Sequence, residues 1–377
     1  MRKGVKGCVP PLLLNAYHGL MRLCPPRDNF VSWWTRYSKK TLPPDLVLLV
    51  DQFIQSPSFA NSSRYWNYLN KINIVQLADR GYANFKQTLA RNYFTWVDGL
   101  NTPYTQYLIE NIGDFQSDAP INVVCRKHDE FTFEESVTFN IITALLYEFV
   151  SQKDNKGFLC HLTEPQEGNP PGIEINGKLV TQDLLNSALE MLSIAEGTDL
   201  SKVRRVLELG AGSGRTSYAF MKLFPAAKYV ISDIPPALFI SQTYLSSQFK
   251  DRRIFKFWPF KAFSEVEREV EQAEIVFLMP YQLDLLPAKF VDLFLAIDCL
   301  HEMKKDQDNK YFDVADRLAS HFYFKCWEET DVPFDKVRHT RATYPVKTNW
   351  KGTYVRECGV PATFFEAFYQ IKGPNEQ

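Results

Sequence analysis

Residues 206–216 read Val-Leu-Glu-Leu-Gly-Ala-Gly-Ser-Gly-Arg-Thr, and this stretch decides the fold class. An apolar run contains the carboxylate Glu208, and Gly210, Gly212 and Gly214 then turn the chain toward a helix. Glycine adopts positive φ at no steric cost and lets a ligand approach the backbone closely. Open α/β sheets bind their ligands at the carboxyl ends of the strands. The stretch therefore predicts a nucleotide-like ligand at the carboxyl end of a strand.

The residues after the glycines distinguish between kinds of nucleotide-binding loop. A P-loop requires Lys and then Ser or Thr after its last glycine, and Arg215-Thr216 does not provide them. The dinucleotide fingerprint requires a small residue at position 215, where the helix packs closely on the strand. The sequence therefore disfavours both a P-loop and hydride chemistry on a nicotinamide cofactor.

A second carboxylate follows at the spacing expected of a ribose contact. The next apolar run, residues 228–232, ends at Asp233, and an ionised carboxylate accepts hydrogen bonds from two neighbouring hydroxyls. The acid Glu208, the G-x-G-x-G glycines that follow it and the second acid, Asp233, form one pattern. This pattern resembles motif I and the second-strand acid of class I S-adenosylmethionine-dependent methyltransferases. The resemblance implies a Rossmann-like sheet and S-adenosyl-L-methionine as the cofactor. The residues that would hold the cofactor at this loop are Glu208, Gly210, Gly212, Gly214 and Asp233.

Composition and charge are those of an ordinary globular protein of 377 residues, which is long enough for two domains. The net charge of −1 gives no electrostatic argument for binding nucleic acid or an anionic membrane. Seven scattered cysteines form no C-x-x-C pair, which argues against a disulfide framework or a zinc site and predicts a cytoplasmic location. No apolar run approaches the roughly 18 residues of a membrane span, and the prolines near the amino terminus argue against a signal peptide.

Two regions differ in their hydrophobic periodicity. Residues 1–160 lack clear strand patterns, and their spacing predicts a helical region. We expect this region to close the acceptor pocket, to pair two subunits in a homodimer, or both. The helices predicted there cover residues 46–54, 66–77, 85–97 and 134–150, with Thr132 capping the last. Residues 161–377 are predicted to form the methyltransferase domain.

The second region alternates strands with helices, which predicts an α/β fold with a parallel, doubly wound sheet. A loop over residues 164–177 and a helix over residues 181–195 precede the glycine stretch. The strands predicted from there on cover residues 203–209, 228–232, 274–279, 292–297 and 321–326.

The strand over residues 292–297 runs into Asp298, His301 and Glu302. In the resembled superfamily this strand ends at the acceptor site. An alcohol acceptor must lose a proton, and a neutral His suits that task near pH 7. We predict His301 as general base, with Asp298 or Glu302 orienting or charging it. The alternative is a structural His at a strand–helix junction.

Further polar residues are candidates for the cofactor and for a metal. Gln282 or Asp284 follows the third strand, where the resembled superfamily contacts the adenine. Gln182, with the polar residues after it, precedes the cofactor strand and is placed to hold the methionine moiety or to close over the acceptor. Asp298, Glu302 and Asp306 repeat at i, i+4 and i+8, which would put hard oxygen ligands on one helical face. Mg²⁺ is compatible with that pattern, but a solvated acidic face explains it as well and we predict no metal.

Several segments outside the glycine stretch are similar to a family of sugar O-methyltransferases, over residues 60 to 371. These segments are Asn84-Phe85, Arg91-Asn-Tyr-Phe-Thr-Trp96, Glu164-Pro165, Gly168-Asn-Pro170, Gln182-Asp-Leu-Leu-Asn-Ser187, Leu300-His-Glu-Met303, Tyr344-Pro345, Trp350 and Phe364-Phe-Glu366. The resemblance implies methyl transfer to a hydroxyl of a sugar or a glycosylated natural product. Independently of the resemblance, Lys325 and Trp327, at the end of the fifth strand, are candidates for lining an acceptor pocket, although packing explains them equally well. The alternatives are an amine or other natural-product acceptor, and a catalytically silent cofactor-binding subunit.

Overall fold

The computed structural model describes residues 29–88, 99–113, 122–126, 128 and 131–371. The helices are α1 (Phe30–Arg36), α2 (Pro44–Gln55), α3 (Pro57–Asn61), α4 (Arg64–Arg80), α5 (Pro103–Asn111), α6 (Phe133–Lys153), α7 (Phe158–His161), α8 (Gln182–Gly197), α9 (Arg215–Leu223), α10 (Ala237–Gln248), α11 (Glu267–Gln272) and α12 (Lys305–Leu318). The helices predicted over residues 46–54, 66–77, 134–150 and 181–195 are confirmed, while most of the one predicted over 85–97 lies outside the described residues.

The strands are β1 (Val123–Cys125), β2 (Ile173–Ile175), β3 (Lys178–Val180), β4 (Arg205–Leu209), β5 (Lys228–Ser232), β6 (Ile254–Phe255), β7 (Ile275–Leu278), β8 (Leu293–Ile297), β9 (His321–Trp327), β10 (Glu329–Val332), β11 (Val337–Thr340), β12 (Trp350–Cys358) and β13 (Phe364–Ile371). The main sheet has the order β12-β13-β9-β8-β4-β5-β7-β6. Its five predicted strands, β4, β5, β7, β8 and β9, pair in parallel, as expected. β13 is antiparallel to both β9 and β12, a departure from the predicted all-parallel pairing.

Alternate side chains of each central strand enter two different hydrophobic cores, one on each face of the sheet. In β4, Val206 belongs to the first core, whereas Leu207 and Leu209 belong to the second. Helices α8, α9 and α10 contribute to the first core and α12 to the second. Because helices cover both faces, the sheet is doubly wound, and the predicted Rossmann-like α/β fold class is confirmed.

The amino-terminal helices share the first core with the sheet. Phe53 of α2 and Leu146 of α6 are fully buried there together with Val206. β1 pairs with β2 on the other side of residue 160, so the predicted helical region contributes a strand that its sequence did not indicate. None of the helices within the described residues has the length and apolarity needed to cross a membrane.

A buried ion pair joins residues 1–160 to residues 161–377, next to the loop that precedes β2. The Lys86 ammonium binds the Glu164 carboxylate and donates to the Tyr244 hydroxyl at 3.1 Å. Thr181 donates to the other Glu164 oxygen at 2.9 Å. Gly168 has a φ of +81°, and a Cβ there would lie 2.4 Å from the Phe85 ring. Glu164 and Gly168 belong to segments that carry the resemblance to sugar O-methyltransferases. In this structure these segments help to hold the fold together.

Candidate functional site

The glycine loop follows β4 directly and requires glycine for steric reasons. Gly210, Gly212 and Gly214 have φ values of +69°, +58° and +89°, in the region that side chains disfavour. A Cβ at Gly210 would lie 2.6 Å from the Cβ of Cys299 on the neighbouring β8 loop. Gly214 takes a left-handed conformation immediately before α9, against Leu245. The loop thus presents bare backbone at the carboxyl end of β4.

A cavity of about 270 Å³ opens over this loop, at the edge where β4 and β8 end. Strand order reverses between these two strands, which is the place where open α/β sheets bind ligands. The sheet side of the cavity is lined by residues at the carboxyl ends of β4, β5, β8 and β9 and in the loops that follow these strands. These include Glu208, Gly210, Gly212, Asp233, Asp298, His301, Glu302 and Trp327.

Asp233 lies at the end of β5 and is bonded to the glycine loop. Its Oδ2 accepts a hydrogen bond from the Gly212 backbone N–H at 2.7 Å, and its Oδ1 accepts one from Ile234 at 2.7 Å. Burial raises the pKa of Asp233 to about 7, against the lowering effect of these two bonds. A carboxylate has about four lone-pair sites, so two hydroxyls can still donate to it.

Glu208 also lines the cavity, but its carboxylate is tied to the first-core face of the sheet. Its Oε2 accepts from the Ser217 hydroxyl of α9 at 2.6 Å and from the Tyr229 hydroxyl of β5 at 2.9 Å. Burial raises the pKa of Glu208 to about 7. Glu208 therefore anchors the first turn of α9, and with it the glycine loop, on the sheet.

Arg215, the residue that separates this loop from the dinucleotide fingerprint, binds α8. Its guanidinium donates to both carboxylate oxygens of Glu190, at 2.7 and 3.0 Å, and to Ser187 at 2.9 Å. Lys325 contacts the same carboxylate at 3.4 Å. Burial alone would raise the pKa of Glu190, but the charges of Arg215 and Lys325 hold it below its ordinary value. The guanidinium thus occupies space between the loop and α8.

His301 is brought together with Asp298 and Glu302 on the wall of the cavity. Its Nε2 lies 3.6 Å from Oδ1 of Asp298 and 3.9 Å from Oε1 of Glu302. Within the described part of the chain its buried Nδ1 has no hydrogen-bond partner. Burial, together with the neighbouring His339, lowers the pKa of His301 to about 3, so the ring is neutral. Asp298 has a φ of +56°, a strained conformation of the kind that clusters at functional sites.

The helical acidic face predicted from Asp298, Glu302 and Asp306 is wrong. Glu302 belongs to a 3₁₀ turn over residues 300–302, and α12 begins only at Lys305, so the three carboxylates share no helix. Short 3₁₀ turns have a different periodicity from an α-helix, which breaks the i, i+4 alignment. No group of three or more metal-binding side chains lies close enough to hold an ion within the described ranges.

Two predicted cofactor residues lie outside the cavity lining. The Gln282 amide oxygen accepts from the Met279 backbone N–H at 2.8 Å, and its amide nitrogen donates to the Trp258 carbonyl at 2.8 Å. Gln182 is fully buried at the start of α8. Asp284, the alternative adenine contact, binds Lys310 at 2.8 Å, also away from the cavity. Lys325 lies behind the cavity, whereas Trp327 lines it as expected.

The other wall of the cavity comes from α3, α4 and their junction, which the sequence did not associate with the site. This wall consists of Ser58, Ser62, Ser63, Tyr65, Trp66 and Leu69. Glu302 lines the cavity with these residues, and burial, together with Asp298, raises its pKa well above the ordinary value. Helical periodicity predicts only that such residues pack against the core, so no pattern identifies them as part of a site.

Neither a protein-family model nor a curated protein matches the sequence. Solved structures with similar folds include the mitomycin 7-O-methyltransferase MmcR, at 13% identity and a TM-score of 0.33, covering 50% of this chain and 57% of that chain. An S-adenosylmethionine dependent methyltransferase from Mesorhizobium loti has 14% identity and a TM-score of 0.32, over 47% of this chain and 94% of that one. Geranyl diphosphate C-methyltransferase from Streptomyces coelicolor A3(2) has 9% identity and a TM-score of 0.36, over 50% and 81%. These are partial overlaps of fold, and nothing about ligand or reaction follows from them.

Proposed function

We propose that the cavity binds S-adenosyl-L-methionine. The observation that carries the proposal is the pairing of Asp233 with the bare backbone of Gly210 and Gly212 at the point where the strand order reverses. A side chain at Gly210 would collide with Cys299, so the loop keeps an open surface for a ligand. Asp233 has lone pairs for two ribose hydroxyls.

The methionine end of the cofactor has a matching environment beside the loop. Arg215 and Asp298, which line the main cavity, would face that end of the cofactor, and the hollow of about 10 Å³ that they share with Asp183 and Asn186 has room for about one water molecule. Opposite charges side by side suit the ammonium and carboxylate of an amino acid. Gln182 and Gln282 do not enter this assignment, because neither lines the cavity.

We propose methyl transfer to a hydroxyl, with His301 as general base. The cofactor supplies an electrophilic methyl group on its sulfonium. The His301 ring is neutral, and its Nε2 lies on the side of Asp298 and Glu302, at 3.6 and 3.9 Å, whereas its Nδ1 is buried. The distances at Nε2 exceed hydrogen-bond length, and such contacts commonly tighten when substrate binds. The ring then takes the hydroxyl proton while the carboxylates stabilise its positive charge.

The acceptor we propose is a sugar or another small polyhydroxylated metabolite. Aromatic faces from Tyr65, Trp66 and Trp327 surround the acceptor side of the cavity, and Ser58 and Ser62 add hydroxyls. Aromatic faces with polar groups beside them suit ligands that combine C–H surfaces with hydroxyls. The helical region would then close the acceptor side, and its pairing of two subunits stays a prediction.

Replacement of Asp233 by Ala is expected to weaken binding of S-adenosyl-L-methionine by about 1–3 kcal/mol, because the ribose hydroxyls and the Gly212 N–H lose their acceptor. Isothermal titration calorimetry measures the loss, and the melting temperature of the variant checks that it is folded. Unchanged affinity would remove Asp233 from the ribose role.

Cofactor affinity is expected to depend on pH near neutrality. The raised pKa of Asp233, about 7, means that the free protein ionises this carboxyl only as pH rises through that value. If hydroxyl donation requires the ionised form, affinity at pH 8 exceeds affinity at pH 6 by about tenfold, since only the ionised fraction binds. Asp233→Asn should bind weakly with no such slope. A slope that persists in Asp233→Asn would assign the titration to another group, such as Glu208.

The reaction is tested by transfer of a labelled methyl group from S-adenosyl-L-methionine to a panel of sugars, glycosides and matched amino sugars, with and without Mg²⁺. We expect methyl ethers from the hydroxyl acceptors at equal rates with and without the metal. Methylation of the amines alone would contradict the hydroxyl assignment, and a strict need for Mg²⁺ would contradict the metal-free mechanism.

A further inference from the structure

The hairpin β10–β11 follows β9 and stands apart from the main sheet. Its two strands form a two-stranded sheet of their own, with Val332 opposite Val337, so that residues 333–336 form the tip. Trp327, the last residue of β9, lines the cavity just before the hairpin begins. The position of the hairpin beside the cavity therefore depends on its contacts with other elements.

The tip of the hairpin contacts the first turn of α4. The Arg64 backbone N–H, one of the donors that a helix leaves unpaired at its start, donates to the Asp335 carboxylate at 2.7 Å. The Phe334 ring packs edge-on against the Tyr68 ring of α4, with centroids 5.9 Å apart. The residues on either side of Arg64 in sequence both line the cavity. The tip is therefore bound to the wall that α4 contributes.

The second strand of the hairpin contacts the opposite wall, at the β8 loop. The buried His339 lies with its Nε2 2.8 Å from the Met303 carbonyl oxygen. A carbonyl only accepts, so Nε2 carries the proton, and Nδ1 accepts from the Lys305 ammonium at 2.8 Å. Met303 lines the cavity together with His301 and Glu302. One hairpin thus binds both the α4 wall and the loop that carries the proposed base.

The backbone of the tip is strained. Phe334 and Lys336 have φ values of +70° and +55°, in the left-handed region that residues with bulky side chains seldom adopt. Such conformations persist where surrounding contacts impose them, and they are frequent at ligand clamps. The contacts of the tip that can offset this cost are those of Phe334 and Asp335 with α4.

We propose that the β10–β11 hairpin is a clamp on the acceptor side of the cavity, in which Asp335 is a positioning residue that holds the α4 wall in the arrangement that binds the acceptor. This inference rests on the proposed function of the site. Asp335 acts through α4 and is not part of the cavity lining. Because α4 carries Tyr65 and Trp66, release of the tip loosens the aromatic faces assigned to the acceptor and leaves Asp233 and the glycine loop in place.

Replacement of Asp335 by Ala is expected to raise the KM for the acceptor by about five- to tenfold, which corresponds to the loss of one helix cap. Without its bond to Asp335, the α4 wall spends a smaller fraction of the time in the binding arrangement, and the apparent affinity falls in proportion. Turnover at saturating acceptor should be nearly unchanged, because bound acceptor restores that arrangement. Calorimetry should show an unchanged affinity for S-adenosyl-L-methionine.

Hydrogen–deuterium exchange, followed by mass spectrometry, tests the clamp without any acceptor. In Asp335→Ala the first turn of α4 should exchange about five- to tenfold faster than in the unaltered protein, by the same loss of a cap. Asp335→Asn keeps an oxygen that accepts from the Arg64 N–H and should restore both exchange and KM. Asp331→Ala is the matched control and should change neither, because Asp331 lies on the same hairpin, is 72% exposed and faces Arg338 at 3.9 Å.

Unchanged exchange or an unchanged acceptor KM in Asp335→Ala, or an equal effect in Asp331→Ala, would overturn the proposal. So would a fall in turnover at saturating acceptor while KM stays the same. If Asp335→Ala does not fold, Phe334→Gly provides the comparison, because it removes the contact with Tyr68 and glycine readily adopts a φ of +70°. Failure of the unaltered protein to bind S-adenosyl-L-methionine would reject the proposed function, and the exchange measurement would still decide whether the hairpin holds α4.

Discussion

Replacement of His301 by Ala is expected to lower the turnover number by about 10²–10⁴-fold, the usual contribution of a positioned general base. The reason lies in the geometry of the ring, which is neutral, lines the cavity and places its Nε2 3.6 Å from Asp298 and 3.9 Å from Glu302. Affinity for S-adenosyl-L-methionine should change little, because the contacts proposed for the cofactor are made by Asp233 and the glycine loop and not by His301. Steady-state kinetics and calorimetry on the same preparation measure both quantities.

His321→Asn is the matched control for this experiment. His321 begins β9 at the opposite end of the strand from Trp327, and its Nδ1 lies 3.3 Å from the Asp292 carbonyl. Its replacement should leave turnover intact. Unchanged turnover in His301→Ala would make His301 a structural residue and would favour an amine acceptor, which needs less help from a base.

Replacement of Lys86 by Met is expected to lower the free energy of unfolding by about 3–5 kcal/mol, the cost of leaving a buried carboxylate without its partner. The Lys86 and Glu164 side chains are only 3% and 4% exposed, so water cannot replace the lost contact. Denaturant unfolding, followed by circular dichroism, measures the change. Lys202→Met is the control, because its pair with Asp199 is 83% and 53% exposed, so solvent screens it and its loss should leave the free energy of unfolding nearly unchanged.

The double variant Lys86→Met/Glu164→Leu distinguishes the loss of an interaction from the exposure of a lone charge. Replacing both members of a buried pair with apolar groups is often nearly neutral, so the double variant should regain much of the stability lost in Lys86→Met. A loss below 1 kcal/mol in Lys86→Met would show that the junction between the two regions does not depend on this pair.

The sequence predicts the glycine-loop side of the cavity better than the side formed by α3 and α4, for physical reasons. A strand followed by glycines is a local pattern, and β4 with its loop lies where residues 206–216 indicate. The antiparallel pair β12–β13 was missed because the prediction followed the alternation of strands and helices, which stops after β9. Asp298, Glu302 and Asp306 fit one helix by spacing alone, but a 3₁₀ turn and a break separate them.

Contacts between distant parts of the chain account for what the sequence could not show. Trp66 and Glu302 line the same cavity only because of how α4 packs over the β8 loop, and neither residue's neighbours in sequence encode that arrangement. Gln282 has the right position after the third strand, but its amide satisfies the Met279 N–H and the Trp258 carbonyl instead of reaching the cavity. Position along the chain therefore identified candidates, and side-chain geometry decided between them.

Isothermal titration calorimetry of the purified protein with S-adenosyl-L-methionine, and separately with NAD and NADP, tests the central claim most directly. Asp233, the bare glycine loop and the buried Arg215–Glu190 pair predict binding of S-adenosyl-L-methionine with a dissociation constant on the order of micromolar, which is typical of a specific small-ligand site. Neither nicotinamide cofactor should bind. Absence of any binding, or binding of NAD or NADP in its place, would contradict the account of the glycine loop and the function derived from it.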